Sequence, residues 1–131
     1  MSVRPKSGQG AGADLMFCCS GVADTAEIGD RAVRLLHKEG AARMYCLAGI
    51  PANAELIVNN VRAAARILVI DGCDIDCARL TMEAGGFTGF LHLRVTDLGM
   101  EKTKSPVTDE RIQRVAQRAR EMLAVAPGVG Q

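Results

Sequence analysis

Cys19, Cys46, Cys73 and Cys77 are spread over much of the chain, and each stands where an apolar run gives way to a loop. If those runs are parallel strands of one sheet, their carboxyl ends open onto a single rim, and distant thiols become a cage for a thiophilic cation. Adjacent strands lie about 4.8 Å apart, whereas a Zn–S bond of about 2.3 Å sets tetrahedral sulfurs roughly 3.8 Å from one another. Side-chain tilt covers the difference. Cys77 comes four residues after Cys73, so it falls in the first turn of the following helix and points back towards the loop. Four thiolates are a common closed coordination for structural zinc, which is the expected cofactor and the expected partner.

Asp71, Asp74 and Asp76 crowd the same loop. Their field raises cysteine pKa values unless a cation is present, which favours bound metal over a free thiolate. A redox reading uses Cys73 and Cys77 as a disulfide-forming pair, with a helix N-terminus stabilising the Cys77 thiolate. The spacing is not Cys-x-x-Cys, and the aspartates oppose it. Cys73 to Arg79 also has the Cys-x5-Arg spacing of a phosphate-cradling loop, but Asp74 and Asp76 would repel a dianion, so Arg79 reads as an exposed helix residue. The Cys19-Ser20-Gly21 turn lacks nucleotide-loop glycine spacing, and Asp24 fills the cap position an anion would need. Ser20 has no legible His partner. His37 reads as a group near a helix C-terminus, His92 as an exposed edge-strand residue, and Lys102 and Lys104 as solvated.

The elements that must position these groups alternate between short apolar runs and segments of helical period. Leu15 to Cys18 is the first expected strand. A helix with capping-box spacing at Asp24-Thr25-Ala26-Glu27 then carries Ile28, Ala32, Leu35 and Leu36 on one face and stops at Gly40. Arg43 to Cys46 reads as the second strand, followed by a helix capped by Asn53 with Leu56, Ile57, Val61 and Ala64 inward. The unbroken Ile67-Leu68-Val69-Ile70 suits a central strand covered on both faces. A helix through Leu80 and Met82 ends at Gly85-Gly86, and Phe90 to Leu98 is the fourth strand, its alternation marking a sheet edge. Thr108 caps a last helix with Ile112, Val115, Ala116, Ala119, Met122 and Leu123 inward. The expected architecture is a single three-layer α/β/α domain on a mainly parallel four-stranded sheet, flavodoxin-like or Rossmann-like, in the order 2-1-3-4.

At 131 residues and 48% hydrophobic, the chain has material for one core. Residues 13–125 form the expected domain, between Gly/Pro-rich tails at 1–12 and 126–131. Sixteen Lys and Arg nearly cancel fifteen Asp and Glu, so the field that gathers nucleic acid or anionic membrane is missing. One Tyr, three Phe and no Trp leave little base-stacking surface. No run of about eighteen apolar residues suggests a membrane span, and no secretory h-region opens the sequence. The expected setting is cytoplasmic, where five cysteines are reduced thiols rather than a disulfide framework.

Cys19-Ser20-Gly21, Cys46-Leu47-Ala48-Gly49, Asp71-Gly72-Cys73 with Cys77-Ala78, and Val95-Thr96-Asp97-Leu98-Gly99 together resemble the DGC-domain family of zinc-binding proteins. The resemblance covers nearly all of the expected domain. It implies four metal-ligand cysteines, which carry over to Cys19, Cys46, Cys73 and Cys77, and brings no established reaction with it. The family pattern places the ligand directly before Ser-Gly, hence Cys19 rather than Cys18. Neighbouring residues of a strand point to opposite faces, so Cys18 reads as a small buried hydrophobe. Asp97 follows the fourth strand onto the same rim, where it either supports a ligand or caps its loop. The expected role is that of an accessory, sensor or metal-handling protein. The alternative is a thiol-redox or metal-dependent enzyme using the same cluster.

Overall fold

A computed structural model describes residues 12–125. The expected tails lie outside the described residues, apart from Gly12. Four strands, β1 (Asp14–Cys18), β2 (Arg43–Met44), β3 (Arg66–Asp71) and β4 (Leu91–Arg94), alternate with four helices, α1 (Asp24–Glu39), α2 (Glu55–Arg62), α3 (Cys77–Ala84) and α4 (Asp109–Leu123). All strand pairings are parallel, and the order is β2-β1-β3-β4. This is the expected α/β sheet.

The alternation of side chains along β1 divides the core in two. Met16 and Cys18 pack with Leu68, Ile70 and Leu93 beneath α1 and α4, through Ile28, Ala32, Leu36, Ile112, Val115 and Ala119. Leu15, Phe17 and Val69 face the opposite way, towards Val61 of α2 and Ala78 and Met82 of α3. Phe17, Leu68 and Ile70 are wholly inaccessible, and such side chains each contribute about 1.5–3 kcal/mol when buried. The central position of β1 and β3 follows from these apolar faces. Among the described residues, no helix is long and apolar enough to cross a membrane.

Several local expectations are corrected. β2 ends at Met44, and Cys46 instead opens a 3-10 turn over Leu47–Gly49. β4 covers only Leu91–Arg94, and Val95–Leu98 curl into a second 3-10 turn. Asn53 does not cap α2, since Ala54 occupies the cap and Asn53 takes a left-handed φ of 55°. Leu56 is 71% exposed and Leu80 49%, so each lies off the apolar stripe of its helix. Ala23, not Asp24, is the residue before α1. Asp24 turns its carboxylate to the backbone N–H groups of Thr25, Thr103 and Ser105, tying the β4–α4 connection to the head of α1. Gly40 and Thr108 do end α1 and cap α4 as expected.

Gly72, directly after β3, presses against the first turn of α1. A Cβ there would stand 2.6 Å from the Ala26 nitrogen and 2.7 Å from its Cα, both backbone atoms that cannot swing aside. Gly72→Ala should therefore destabilise the fold by about 1–3 kcal/mol, read as a lower urea midpoint at unchanged slope. An unchanged midpoint would show that the helix is free to back away.

Candidate metal centre

The rim at the carboxyl ends of the strands carries all the cysteines. Cys18 ends β1 on the α1/α4 side, and its neighbour Cys19 packs on the α2/α3 side. This is the expected division, and it places Cys19 on the side that also bears Cys77, the first residue of α3. Cys19 and Cys46 line one pocket of about 370 Å³ with Met44, Tyr45, Leu47 and Thr81. Cys46 and Cys77 are exposed, while Cys19 and Cys73 are partly buried. No three of the five sulfurs lie within 4.8 Å of one another among the described residues.

Cys19 stands at the centre of this group. The N–H of Gly72 donates to its sulfur over 3.3 Å, so the close approach of Gly72 to α1 also brings the Cys73 loop to the end of β1. Burial raises the Cys19 pKa, the N–H groups of Gly72 and Gly21 oppose that rise, and Asp71 and Cys77 add to it. Cys77 is thus within electrostatic reach of Cys19. The backbone N–H groups only partly offset the burial that keeps this thiol protonated.

Cys18 also lines the pocket of Cys19 and Cys46, but it packs on the other face of β1 and has its own polar partners. Its sulfur lies 3.2 Å from Ser20 Oγ, which donates to Asp30 over 2.7 Å, and Asp30 in turn receives Arg34. Burial opposes ionisation of Asp30, but Ser20 and Arg34 outweigh it and leave the carboxyl below its usual range. Ser20 adopts a left-handed φ of 50°. Its partner is therefore an ionised aspartate that fixes the turn, not the histidine of a nucleophilic pair.

The acidic loop is organised differently from the expectation. Asp71 is buried and accepts the N–H groups of Ala78 and Arg79, closing the head of α3 from across the loop. Asp76 is buried in a left-handed conformation and takes both arms of Arg94, at 2.9 and 2.6 Å, with Arg79 adding longer contacts. Arg94 beside Asp76 holds that carboxyl below the usual range. The cation that offsets this part of the acidic field is internal, so the aspartates no longer argue for a bound metal. Arg79 also grips both oxygens of Glu83 at 3.0 Å, which removes it as an anion clamp.

His92 is the residue that sequence reasoning missed. It is only partly exposed, and its Nε2 hydrogen-bonds Asp71 Oδ2 over 2.9 Å and lies 3.7 Å from Asp76. Asp71, Asp76 and His92 bring ligand atoms within 4.8 Å of one another. Arg94 already fills the place of a cation at Asp76, and two backbone donors occupy Asp71, so this group is an ion-pair network in its present form. The available signal was parity, because Asp71 pairs in register with Arg94 and Val69 with His92 across the β3–β4 ladder. His37, near the end of α1, accepts the Met44 N–H at Nδ1 and so steadies β2. Asp97 is exposed and pairs with Arg94 at 3.7 Å.

The family model for the DGC domain matches residues 15–119, which include every cysteine discussed and the Asp71–Arg94 network. The chain belongs to the DGC-domain family. A relative of this DGC domain, the "Anaerobic and virulence modulator AnvM" of Pseudomonas aeruginosa, is 28% identical over 88 residues, 67% of each chain. No solved structure matches it.

Burial and the neighbouring carboxylate sort the DGC-domain thiols by reactivity. Burial pushes Cys18 up to about 11, so at pH 8 only about one molecule in a thousand carries the thiolate there. Iodoacetamide at pH 8 should label Cys46 and Cys77 of metal-free, folded protein and leave Cys18 unmodified by peptide mass spectrometry. Its labelling should rise about tenfold per pH unit up to that value. Equal labelling of Cys18 and Cys46 at pH 8 would contradict the burial described.

Proposed function

We propose that this DGC-domain protein is a zinc-binding accessory or modulator protein whose metal is held by Cys19, Cys46, Cys73 and Cys77. The observation that carries the reading is the position of Cys19. Its sulfur takes the Gly72 N–H and, with Cys18 and Cys46, lines one pocket on the rim where α3 begins at Cys77. Cys73 follows Gly72 directly. Soft sulfur donors suit zinc among the common cellular cations. Bound there, zinc would supply a positive charge that joins the loops after β1, β2 and β3.

The sulfurs are too far apart for a closed cage as they stand, so loading draws the exposed Cys46 and Cys77 inward. Such a site links folding and loop order to metal supply. That link suits a modulator, and the name of the Pseudomonas relative points the same way. The group needs reduced thiols, which fits a reducing compartment such as the cytoplasm.

Protein purified without added metal should contain one zinc per chain by elemental analysis, with four thiols protected until a chelator is added. Cys46→Ser should weaken zinc by more than about 100-fold, the upper end for loss of a group that merely supports a ligand. Chelation should lower the melting temperature of the wild type and leave that of Cys46→Ser nearly unchanged. A metal-free protein that folds fully and forms a reversible Cys73–Cys77 disulfide, indifferent to Cys46→Ser, would replace this reading with thiol-redox chemistry.

A further inference from the structure

We propose that Arg94 is the positioning residue of the Cys73–Cys77 loop, presenting Cys77 to the metal by holding Asp76 in its left-handed conformation at the head of α3. The proposal rests on the zinc reading above and assigns a new part of the site to β4, a strand that contributes no cysteine.

Asp76 is the residue on which the loop turns. Its N–H donates to the Cys73 carbonyl over 3.2 Å, and its own carbonyl accepts the Leu80 N–H over 2.9 Å as α3 begins. Cys77 is the next residue. With φ 59° and ψ 43°, Asp76 occupies a region that non-glycine residues hold only where their surroundings insist. It is also only 4% exposed, so its carboxyl group as well as its backbone needs a partner.

Arg94 meets both needs. Its Nε and Nη2 address the two carboxylate oxygens separately, a fork that fixes direction as well as charge. Its own place is set by the β3–β4 ladder, where it stands opposite Asp71. The other neighbours cannot replace it. Arg79 contacts Asp76 at 3.3 Å while shared with Glu83, and His92 lies 3.7 Å away. Without Arg94 the cheapest relief for a buried, left-handed carboxylate is to swing into water. Cys77, attached to it, would go too. Lysine keeps the charge but has no fork, so it can restore the pairing only in part.

The test compares wild type, Arg94→Met and Arg94→Lys for zinc affinity by competition with a chromophoric chelator, and for the alkylation rates of Cys77 and Cys46 in metal-free protein. Arg94→Met should weaken zinc by about 10–100-fold, the range for loss of a group that orients a ligand, with Arg94→Lys in between. Cys77 alkylation should accelerate severalfold while Cys46 is unchanged. Because Arg94 acts through Cys77, adding Arg94→Met to Cys77→Ser should cost less than about twofold more. A purely structural role would lower stability yet leave the zinc losses additive, and that result overturns the proposal. So does wild-type zinc affinity together with a wild-type Cys77 rate in Arg94→Met. If the wild type itself binds no zinc, the metal reading fails separately. The Cys77 rate then decides alone whether Arg94 holds the loop. Should Arg94→Met not fold, Arg94→Lys carries the same comparisons.

Discussion

A carboxylate buried at the end of the central strand needs donors, and the way Asp71 finds them shapes the rim. Two of its partners are backbone N–H groups at the head of α3 and the third is His92 of β4, so one side chain fixes a helix and a neighbouring strand to the end of β3. Hydrogen bonds to an ionised group are roughly twice as strong as neutral ones, and the positive end of the helix dipole adds to them. Gly72, next in sequence, leaves room for the backbone of α1 and gives its N–H to Cys19. Cys73 then supplies a sulfur. Three consecutive residues thus lock α3, bring in α1 with the first thiol, and contribute the second.

Backbone strain is concentrated on the same side of the molecule. At the opposite end of the sheet the left-handed positions are Gly12, Gly40, Gly86 and Gly89, where no side chain resists. At the cysteine rim they include Ser20, Asn53, Asp76 and Thr103. Such residues each cost about 1–3 kcal/mol in that conformation. Three of the four are held by a specific bond: Ser20 to Asp30, Asp76 to Arg94, and the Thr103 N–H to Asp24. At Ser20 and Asp76 the anchor is the side chain itself, which glycine lacks. The rim is built for fixed loops at some expense of stability.

The sheet was legible because its signals are local and redundant. β3 is an unbroken apolar run, α1 ends at a glycine with φ 82°, and α4 begins at a threonine that accepts the Arg111 N–H, each readable from a few neighbouring residues. Cys18 and Cys19 were separable by the two-residue period of a strand. What failed was individual positions and reach. On α2 and just beyond it, Ile57, Val61 and Ala64 do face inward, but Leu56 points to water and Val58 takes its place in the core. β2 has a partner on one side only and runs out of paired residues at Met44. His92 and Arg94 look solvent-facing in any window of sequence. Their partners Asp71 and Asp76 lie 21 and 18 residues away, joined only once β3 and β4 are in register.

That long-range pairing alters the chemistry expected at the rim. Taken alone, Asp71, Asp76 and His92 would offer oxygen and nitrogen ligands to a hard or borderline cation. Arg94 enters first, tethered by the chain, so its effective concentration exceeds that of any dissolved ion. Arg94 offsets Asp76 directly, with a smaller share from Arg79, which also pairs with Glu83. The thiols beside this network consequently face less repulsion than three aspartates in seven residues suggest. With the hard donors satisfied internally, the groups left to greet an external cation are sulfurs. Under the proposed zinc reading, that internal pairing would steer an incoming cation towards sulfur, because Arg94 already holds the competing carboxylate.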